Sequence, residues 1–278
     1  METTYKLDTV IKVEENLCIG CGSCIRNCPA NVIEKKEFPT PTIDAWDQCI
    51  DCGHCVAICP TGAMHQRAMS PEDCTPIDIH LVPEWDKMKH FLTTRRSIRT
   101  YIHKNIEKEK VELLLDISRF APNGANRQVL HWVVINDLEK VKKVAEMTID
   151  WMKTIKEVKP ALYEEANLEV FVSAWANHQD QISRGAPCII MATAPKDERT
   201  APPAAMIGIH QIQLAAHGLG LGTSFTGSIN TAAQGYPPII EMLGIPEGYI
   251  PFGTFLIGYP AEHFHRIPQR KPANVTWV

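Results

Sequence analysis

The sequence predicts an α+β chain in two parts, a small module built on cysteines followed by a larger body of mixed helices and strands. Three observations carry this. Eight of the ten cysteines fall in two copies of one frame, Cys18 to Cys28 and Cys49 to Cys59. From residue 85 onward, stretches of helical spacing alternate with short apolar runs of strand length. Between them, residues 67–84 hold prolines and scattered charges without sustained periodicity, as a linker does. The expected parts are therefore a module at 1–66, a linker at 67–84 and a body at 85–278, and two domains suit a chain of 278 residues.

The two frames read CIGCGSCIRNCP and CIDCGHCVAICP, the second starting 31 residues after the first. Each is C-x2-C-x2-C-x3-C-P, the spacing that holds [4Fe–4S] clusters in bacterial ferredoxins. Gly22 and Gly53 take the same place in each loop, where a missing side chain lets backbone N–H groups approach a cluster. Pro29 and Pro60 turn the chain away after the fourth cysteine. Disulfides are the weaker reading of clustered C-x-x-C pairs in a chain without an export sequence. Zinc is the other alternative, but zinc sites use paired C-x-x-C knuckles. Residues 10–66 resemble a bacterial-type two-cluster ferredoxin. In that family the fourth cysteine of each run serves the other cluster. The resemblance thus implies one cluster on Cys18, Cys21, Cys24 and Cys59, and a second on Cys49, Cys52, Cys55 and Cys28. His54 is expected to face solvent, and Cys74 and Cys188 to stand outside any site.

Charge is uneven. Residues 1–80 carry 6 basic and 12 acidic side chains, net −6, and the remainder carries 22 and 20, net +2. This balance speaks against nucleic-acid binding. An acidic face suits steering toward a basic redox partner. No apolar run reaches the length of a membrane span, and METTYKLDTVIKVEEN has no apolar stretch of signal-peptide length. A cytoplasmic location is expected.

In the body, PEWDKMKHFLTTRRS starts a helix with Trp85, Met88 and Leu92 on one face. IEKEKVELLLDISRF is an amphipathic helix and HWVVI (131–135) a strand. DLEKVKKVAEM is a helix with Asp137 as N-cap. Residues 151–181 form a long helical, aromatic-dotted excursion broken at Pro160. CIIMATA (188–194) is a buried strand. Residues 204–220 form a helix apolar on nearly all sides, ending at Gly218 and Gly220. PPIIEMLG is a short helix, and FGTFLIGYP (252–260) a strand.

TTRRSIRTY (93–101) offers guanidiniums on Arg95, Arg96 and Arg99 and the Ser97 hydroxyl. Alternate residues of an extended run point the same way, so Arg95, Ser97 and Arg99 can converge as an anion clamp. A solvated basic turn is the plainer alternative. GLGLG (218–222) is not a dinucleotide fingerprint, because it follows a helix and lacks the G-x-G-x-x-G spacing.

Taken with RFAPNGANRQ (119–128), GLGLGTSFTGS (218–228), FGTFLIGYP and RIPQRKP (266–272), residues 85–278 resemble the FMN-dependent nitroreductase family. The resemblance implies a nitroreductase-like α+β fold, a homodimer and FMN at the subunit interface. It implies that Arg95, Ser97 and Arg99, beside Arg96, hold the ribityl phosphate and pyrimidine edge. Pro122, Asn123 and Gly124 would reach the flavin across the dimer, with Asn126 and Gln128 supporting their loop. Thr226 and Gly227 would present backbone near the isoalloxazine, and Arg270 or Lys271 would close on the phosphate. Asn123 stands where the family often has Ser, and Val129-Leu130 where it often has Pro-Trp.

The expected function is FMN-dependent reduction of nitroaromatic, quinone-like or activated alkene substrates, small flat oxidants. Electrons would reach FMN through two [4Fe–4S] clusters from reduced ferredoxin or an NAD(P)H-linked reductase. No dedicated catalytic acid or base is evident. Trp151, Tyr163, Phe171 and Trp175 are candidates to roof the pocket, with ordinary core packing as the alternative. The rival functions are an electron carrier without turnover and a flavin dehydrogenase that exports electrons through the clusters.

Overall fold

A computed structural model describes residues 7–278. The chain divides into two compact units. One runs through Pro83 and takes in Gly124–Arg127; the other comprises Glu84–Asn123 and Gln128–Val278.

The first unit repeats a small theme. Strand β1 (Ile11–Val13) leads to helix α1 (Ser23–Arg26), then strands β2 (Ile33–Lys35) and β3 (Pro39–Pro41) form a hairpin. Helices α2 (Ala45–Gln48) and α3 (His54–Ala57) follow. Strand β4 (Met64–Gln66) returns antiparallel to β1, with Ile11 opposite Gln66. Gly22 and Gly53 precede α1 and α3 with φ of 67° and 71°, a left-handed backbone that side chains disfavour. The core is small: Val10, Ile11, Val32, Ile33, Ala45, Val56 and Met64, joined by Cys24 and Cys55. Residues 67–83, expected as a linker, group with this unit. Arg67 is 5% exposed, Met69 and Cys74 pack against the core, and Ser70 with Asp73 forms a capping box over a 3-10 turn.

The second unit holds a four-stranded antiparallel sheet, order β5-β6-β8-β7. Helix α4 (Trp85–Thr94) and helix α5 (Lys108–Ser118) precede β5 (His131–Asn136). Helix α6 (Leu138–Val158) starts at Asp137, whose carboxylate accepts from Lys140 N at 3.0 Å. It runs unbroken where the sequence suggests two helices, and Pro160 then opens α7 (Pro160–Glu165), followed by α8 (Glu169–Ala176). The remaining elements are β6 (Cys188–Pro195), α9 (Ala201–Gly218), β7 (Gly222–Phe225), α10 (Gly227–Ala232), α11 (Pro237–Leu243) and β8 (Tyr249–Gly258).

The period-2 alternation of the central strands sets the layers. On one face, Ile189, Met191 and Leu256 pack with Val141, Val144 and Ile149 of α6 and with Ile229 and Ile239. On the other, Cys188, Ile190, Phe255 and Ile257 pack with Leu114 of α5 and Ile209 and Ile212 of α9. Helix α9 ends in a Schellman motif: Leu221 N donates to Ala216 O at 2.8 Å, and Gly220 N to His217 O at 3.1 Å, with Gly220 at φ 73°. That turn delivers the chain into β7. Among the described residues no helix is long and apolar enough to cross a membrane.

Candidate functional site

The cysteines stand in two groups. Cys18, Cys21, Cys24 and Cys59 line one cleft with Gly22, Ser23 and Pro60. Cys55 lies within electrostatic reach of Cys49, Cys52 and Cys28. None of the ten is in a disulfide. Each group therefore draws three cysteines from one frame and the fourth from the other.

Local chemistry prepares these sulfurs for ligation. Backbone and side-chain hydrogen bonds from Ser23 lower the Cys21 thiol, aided by Arg26. Burial would raise Cys59, but hydrogen bonds from Thr61, Ala63 and Met64 outweigh it and hold it low. Burial raises Cys24 and pushes Cys55 up to about 12, so there a thiolate needs a metal to form. Among the described residues no three His, Cys, Asp or Glu side chains close on the point that one metal ion would occupy. His54 is exposed. Buried Cys188 is pushed well up by desolvation, as befits a core residue.

In the second unit, the Arg-Ser run lies along β7. Ser97 bridges Thr223 in parallel, and Ile98 N donates to Thr223 O at 3.0 Å. Ile98 sits directly over Gly222, where an added Cβ would fall 2.3 Å from Ile98 Cγ1. Buried Tyr101 fixes the end of the run, donating to Ile98 O at 2.8 Å and meeting Ser224 Oγ at 3.2 Å. Its hydroxyl is pushed up to about 12 by burial, so it stays a donor.

The guanidiniums then part. Arg95 and Arg96 line a cavity of about 260 Å³ with His217, Gly222, Thr223 and His263. Burial and the neighbouring Arg96 lower the Arg95 pKa, and the same cavity holds His217, lowered by burial and Arg95. Arg99 points elsewhere, into a cavity of about 480 Å³ lined also by Arg184, Thr226, Gly227, Trp151 and Phe171. Arg95 and Arg99, expected to converge, thus line different cavities.

Arg184 was not legible as a site residue. It comes from a turn at φ 55° that Asp180 holds by accepting from Ile182 N at 2.9 Å and Ser183 N at 2.8 Å. Arg99 and Arg184 together line a second cleft of about 560 Å³ with His103, Trp175 and Asp180. Among the described residues neither guanidinium has an ion-pair partner. Of the proposed roof, Trp151 and Phe171 face the 480 Å³ cavity. Trp175 faces the other cleft, and Tyr163 is buried, donating to Glu169 at 2.9 Å.

The 122–128 loop is drawn tight. Asn123 Oδ1 accepts from Gln128 N at 2.9 Å, and Asn123 Nδ2 donates to Ala121 O at 3.2 Å. Asn123 and Gln128 line a cavity of about 410 Å³ with Ser118, Leu130 and Trp132. Pro122 and Gly124 are exposed. Ala125, Asn126 and Gln128 all have positive φ. Asn126 also reaches the second cysteine frame: its amide donates to Ile50 O at 3.1 Å and Asp51 O at 3.0 Å. Arg270 and Lys271 lie in an exposed C-terminal stretch without regular structure and line none of these cavities.

Fold and sequence agree on what the body is. The chain belongs to the Nitroreductase family, an oxidoreductase family whose model matches residues 92–259, more than half of the chain. A 4Fe-4S dicluster domain matches residues 17–64. A protein of Methanothermobacter thermautotrophicus, provisionally named NADH dehydrogenase/NAD(P)H nitroreductase, is 27% identical over 193 residues, 67% of this chain and 85% of its own. FMN reductase [NAD(P)H] of Bacillus subtilis is 23% identical over 180 residues, 64% of this chain and 68% of its own. Among solved structures, a nitroreductase with bound FMN from Bacteroides fragilis superposes with a TM-score of 0.57 at 20% identity, covering 69% of this chain and 98% of its own.

Proposed function

We propose that the chain is an FMN-dependent oxidoreductase that reduces nitroaromatic, quinone-like or activated alkene substrates with electrons relayed through two [4Fe–4S] clusters. The observation that carries the reading is the pair Arg99 and Arg184, guanidiniums without an ion-pair partner among the described residues, which line a 480 Å³ cavity together with apolar Trp151, Met152 and Phe171. Such a cavity fits a flat aromatic group with an electron-rich edge, and its volume is that of a cofactor pocket. Relatives whose names carry FMN support the same choice.

When bound, the clusters pass single electrons and FMN passes one or two. The chain's own residues do the rest. Arg99 and Arg184 favour negative charge at the cavity wall. Ser97, tied to β7, and Arg95 with Arg96 offer donors for a phosphate on the adjoining side. Thr226, buried and bonded through its N–H to Thr254 O at 3.0 Å, fixes the backbone entering α10. Trp151 and Phe171 provide a surface for flat substrates.

We place FMN at the interface of a homodimer. Helices α5 and α9 pack together through Leu114, Ile209 and Ile212, yet Leu113, Ile117 and Phe120 beyond them and Met206 and Ile207 stay exposed, Phe120 by 71%. An apolar surface of this kind suits a second copy. Eight thiols kept for ligation suit the reducing cytoplasm.

The test is stopped-flow reduction of the anaerobic holoenzyme, with cluster and flavin absorbance followed separately. Reduced ferredoxin, or NAD(P)H through a partner reductase, should bleach the clusters before the flavin, and a nitroaromatic should then reoxidise both. Cys21→Ala should abolish donor-driven turnover while dithionite-reduced flavin still reacts. Survival of both activities would remove the relay. Electron transfer with no turnover over a panel of flat oxidants would leave a carrier, and flavin reduction by substrate ahead of the clusters would reverse the direction.

A further inference from the structure

The two cysteine frames superimpose in sequence but not in surroundings. Position by position, Asp51 of the second frame replaces Gly20 of the first, and Gln66 and Arg67 replace Lys35 and Lys36. In the first repeat these positions are open: Gly20, Lys35 and Lys36 are exposed, and Lys36 pairs with its neighbour Glu34 at 2.8 Å. In the second repeat Gln66 and Arg67 are packed inside, at 1% and 5% exposure, and Asp51 is half-buried.

The buried groups converge on one sulfur. Gln66 Nε2 is directed at Cys49 Sγ at 3.7 Å and also meets the Asp51 carboxylate. Gln66 Oε1 accepts from Ala68 N at 2.8 Å, which fixes which end of the amide faces the sulfur. Arg67 grips Asp51 with two bonds, Nε to Oδ1 at 2.8 Å and Nη2 to Oδ2 at 3.0 Å. It also donates to Trp46 O at 2.6 Å and Cys49 O at 3.1 Å, and it lies over the Trp46 ring. Asp51 itself is held at φ 50°, a conformation that costs a non-glycine residue energy and persists only when its surroundings enforce it.

The consequence is electrical. An N–H directed at a ligating sulfur stabilises the added charge of a reduced cluster and raises its potential. The Asp51 carboxylate, 3.7 Å from the same sulfur, works in the opposite sense, and the buried guanidinium cancels it. In the first repeat Gly20 stands in place of the carboxylate, and the side-chain partners of the sulfurs are hydroxyls instead, Ser23 Oγ at 3.6 Å from Cys21 Sγ and Thr61 Oγ1 at 3.7 Å from Cys59 Sγ.

Resting on the two-cluster reading, we infer that Gln66, Asp51 and Arg67 are positioning residues that make the two clusters unequal by setting the potential of the one on Cys49, Cys52, Cys55 and Cys28. The pair then forms a downhill step between stations that the sequence repeat alone would make equivalent.

The test is an EPR-monitored redox titration of the full-length, anaerobically reconstituted protein, with iron counted per chain. Eight irons and two resolved one-electron steps are expected. Gln66→Leu should lower one step alone by about tenfold in its reduction equilibrium, about 59 mV for one electron. Asp51→Asn, which keeps the Arg67 charge, should raise that same step. A merely structural part would not move it in opposite directions. Lys35→Ala, the matching position of the first repeat, should move neither. Coincident steps in the unaltered protein overturn the proposal without any variant, as does a Gln66→Leu effect on both steps or on neither. Only four irons per chain would instead sink the two-cluster reading, and this proposal with it.

Discussion

Arg99 and Arg184 reach the same cavity from different turns, and the physical reasons differ. Arg99 is carried by an extended run tied to β7 through Ile98. Arg184 is projected by a turn in which the Ile182, Ser183 and Gly185 N–H groups feed the Asp180 carboxylate. Two like charges facing one cavity are tolerated at the surface, but they become favourable once an electron-rich group lies between them. Arg99→Gln and Arg184→Gln should each weaken FMN binding about tenfold or more, since a charge-assisted hydrogen bond contributes roughly 1.5–3 kcal/mol and about 1.4 kcal/mol is tenfold. Fluorescence quenching during titration of the apo-protein with FMN measures this, and unchanged affinity in both variants would move the cofactor elsewhere. The contrast also shows what was legible. Arg99 is visible because it shares a short motif with Ser97 and Arg95. Arg184 is not, because its place depends on an Asx-type turn around Asp180, whose outcome no spacing rule announces. Asn126 shows another side of the same limit: its bonds to Ile50 O and Asp51 O, distant in sequence, follow from the fold and from no local motif.

At the scale of elements, long apolar patterns were readable and short ones were not. Strand β6 announces itself as CIIMATA and is buried along that length. Helix α9 is apolar on nearly all sides although the sheet and α5 cover only part of it and Met206 and Ile207 stay exposed, and its glycine ending is a Schellman turn. Strand β7 escaped notice because four residues, GTSF, lie inside a glycine-rich run that also looks like loop. Yet β7 positions the whole arginine run. Gly222→Ala tests that dependence, because the added methyl would fall 2.3 Å from Ile98 Cγ1 and 2.7 Å from Ile98 Cβ. Overpacking of this kind costs about 1–3 kcal/mol, read as a lower midpoint in urea, and it should loosen FMN as the run lifts off the strand. Adding Ile98→Ala should recover part of the stability, a coupling expected of residues in direct contact. Simple additivity of the two substitutions would show that the run is not seated by this contact.

For the molecule as a whole, charge separates what composition alone would average away. Residues 1–80 carry −6 of a total of −4, so the remainder is net positive. The cluster-bearing end therefore repels anions and attracts cations over distances set by ionic strength, since the screening length shrinks from about 30 Å at 0.01 M salt to about 8 Å at 0.15 M. Arg26 is the local exception, donating to Cys21 O at 2.9 Å, and its charge is too short-ranged to reverse the sign of the whole segment. Two reductants of opposite charge then give opposite salt dependence. Cluster bleaching by a reduced viologen, a cation, should slow several-fold between 0.01 and 0.15 M salt, as steered association does. Bleaching by dithionite, an anion, should speed up over the same range. Substituting Glu14, Glu15, Glu34 and Glu37 with Gln, all in the first unit and none among the proposed ligands, should flatten both trends together. If the two reductants respond to salt in the same direction, the acidic segment does not steer electron donors, and selection among them must rest on contacts made after encounter.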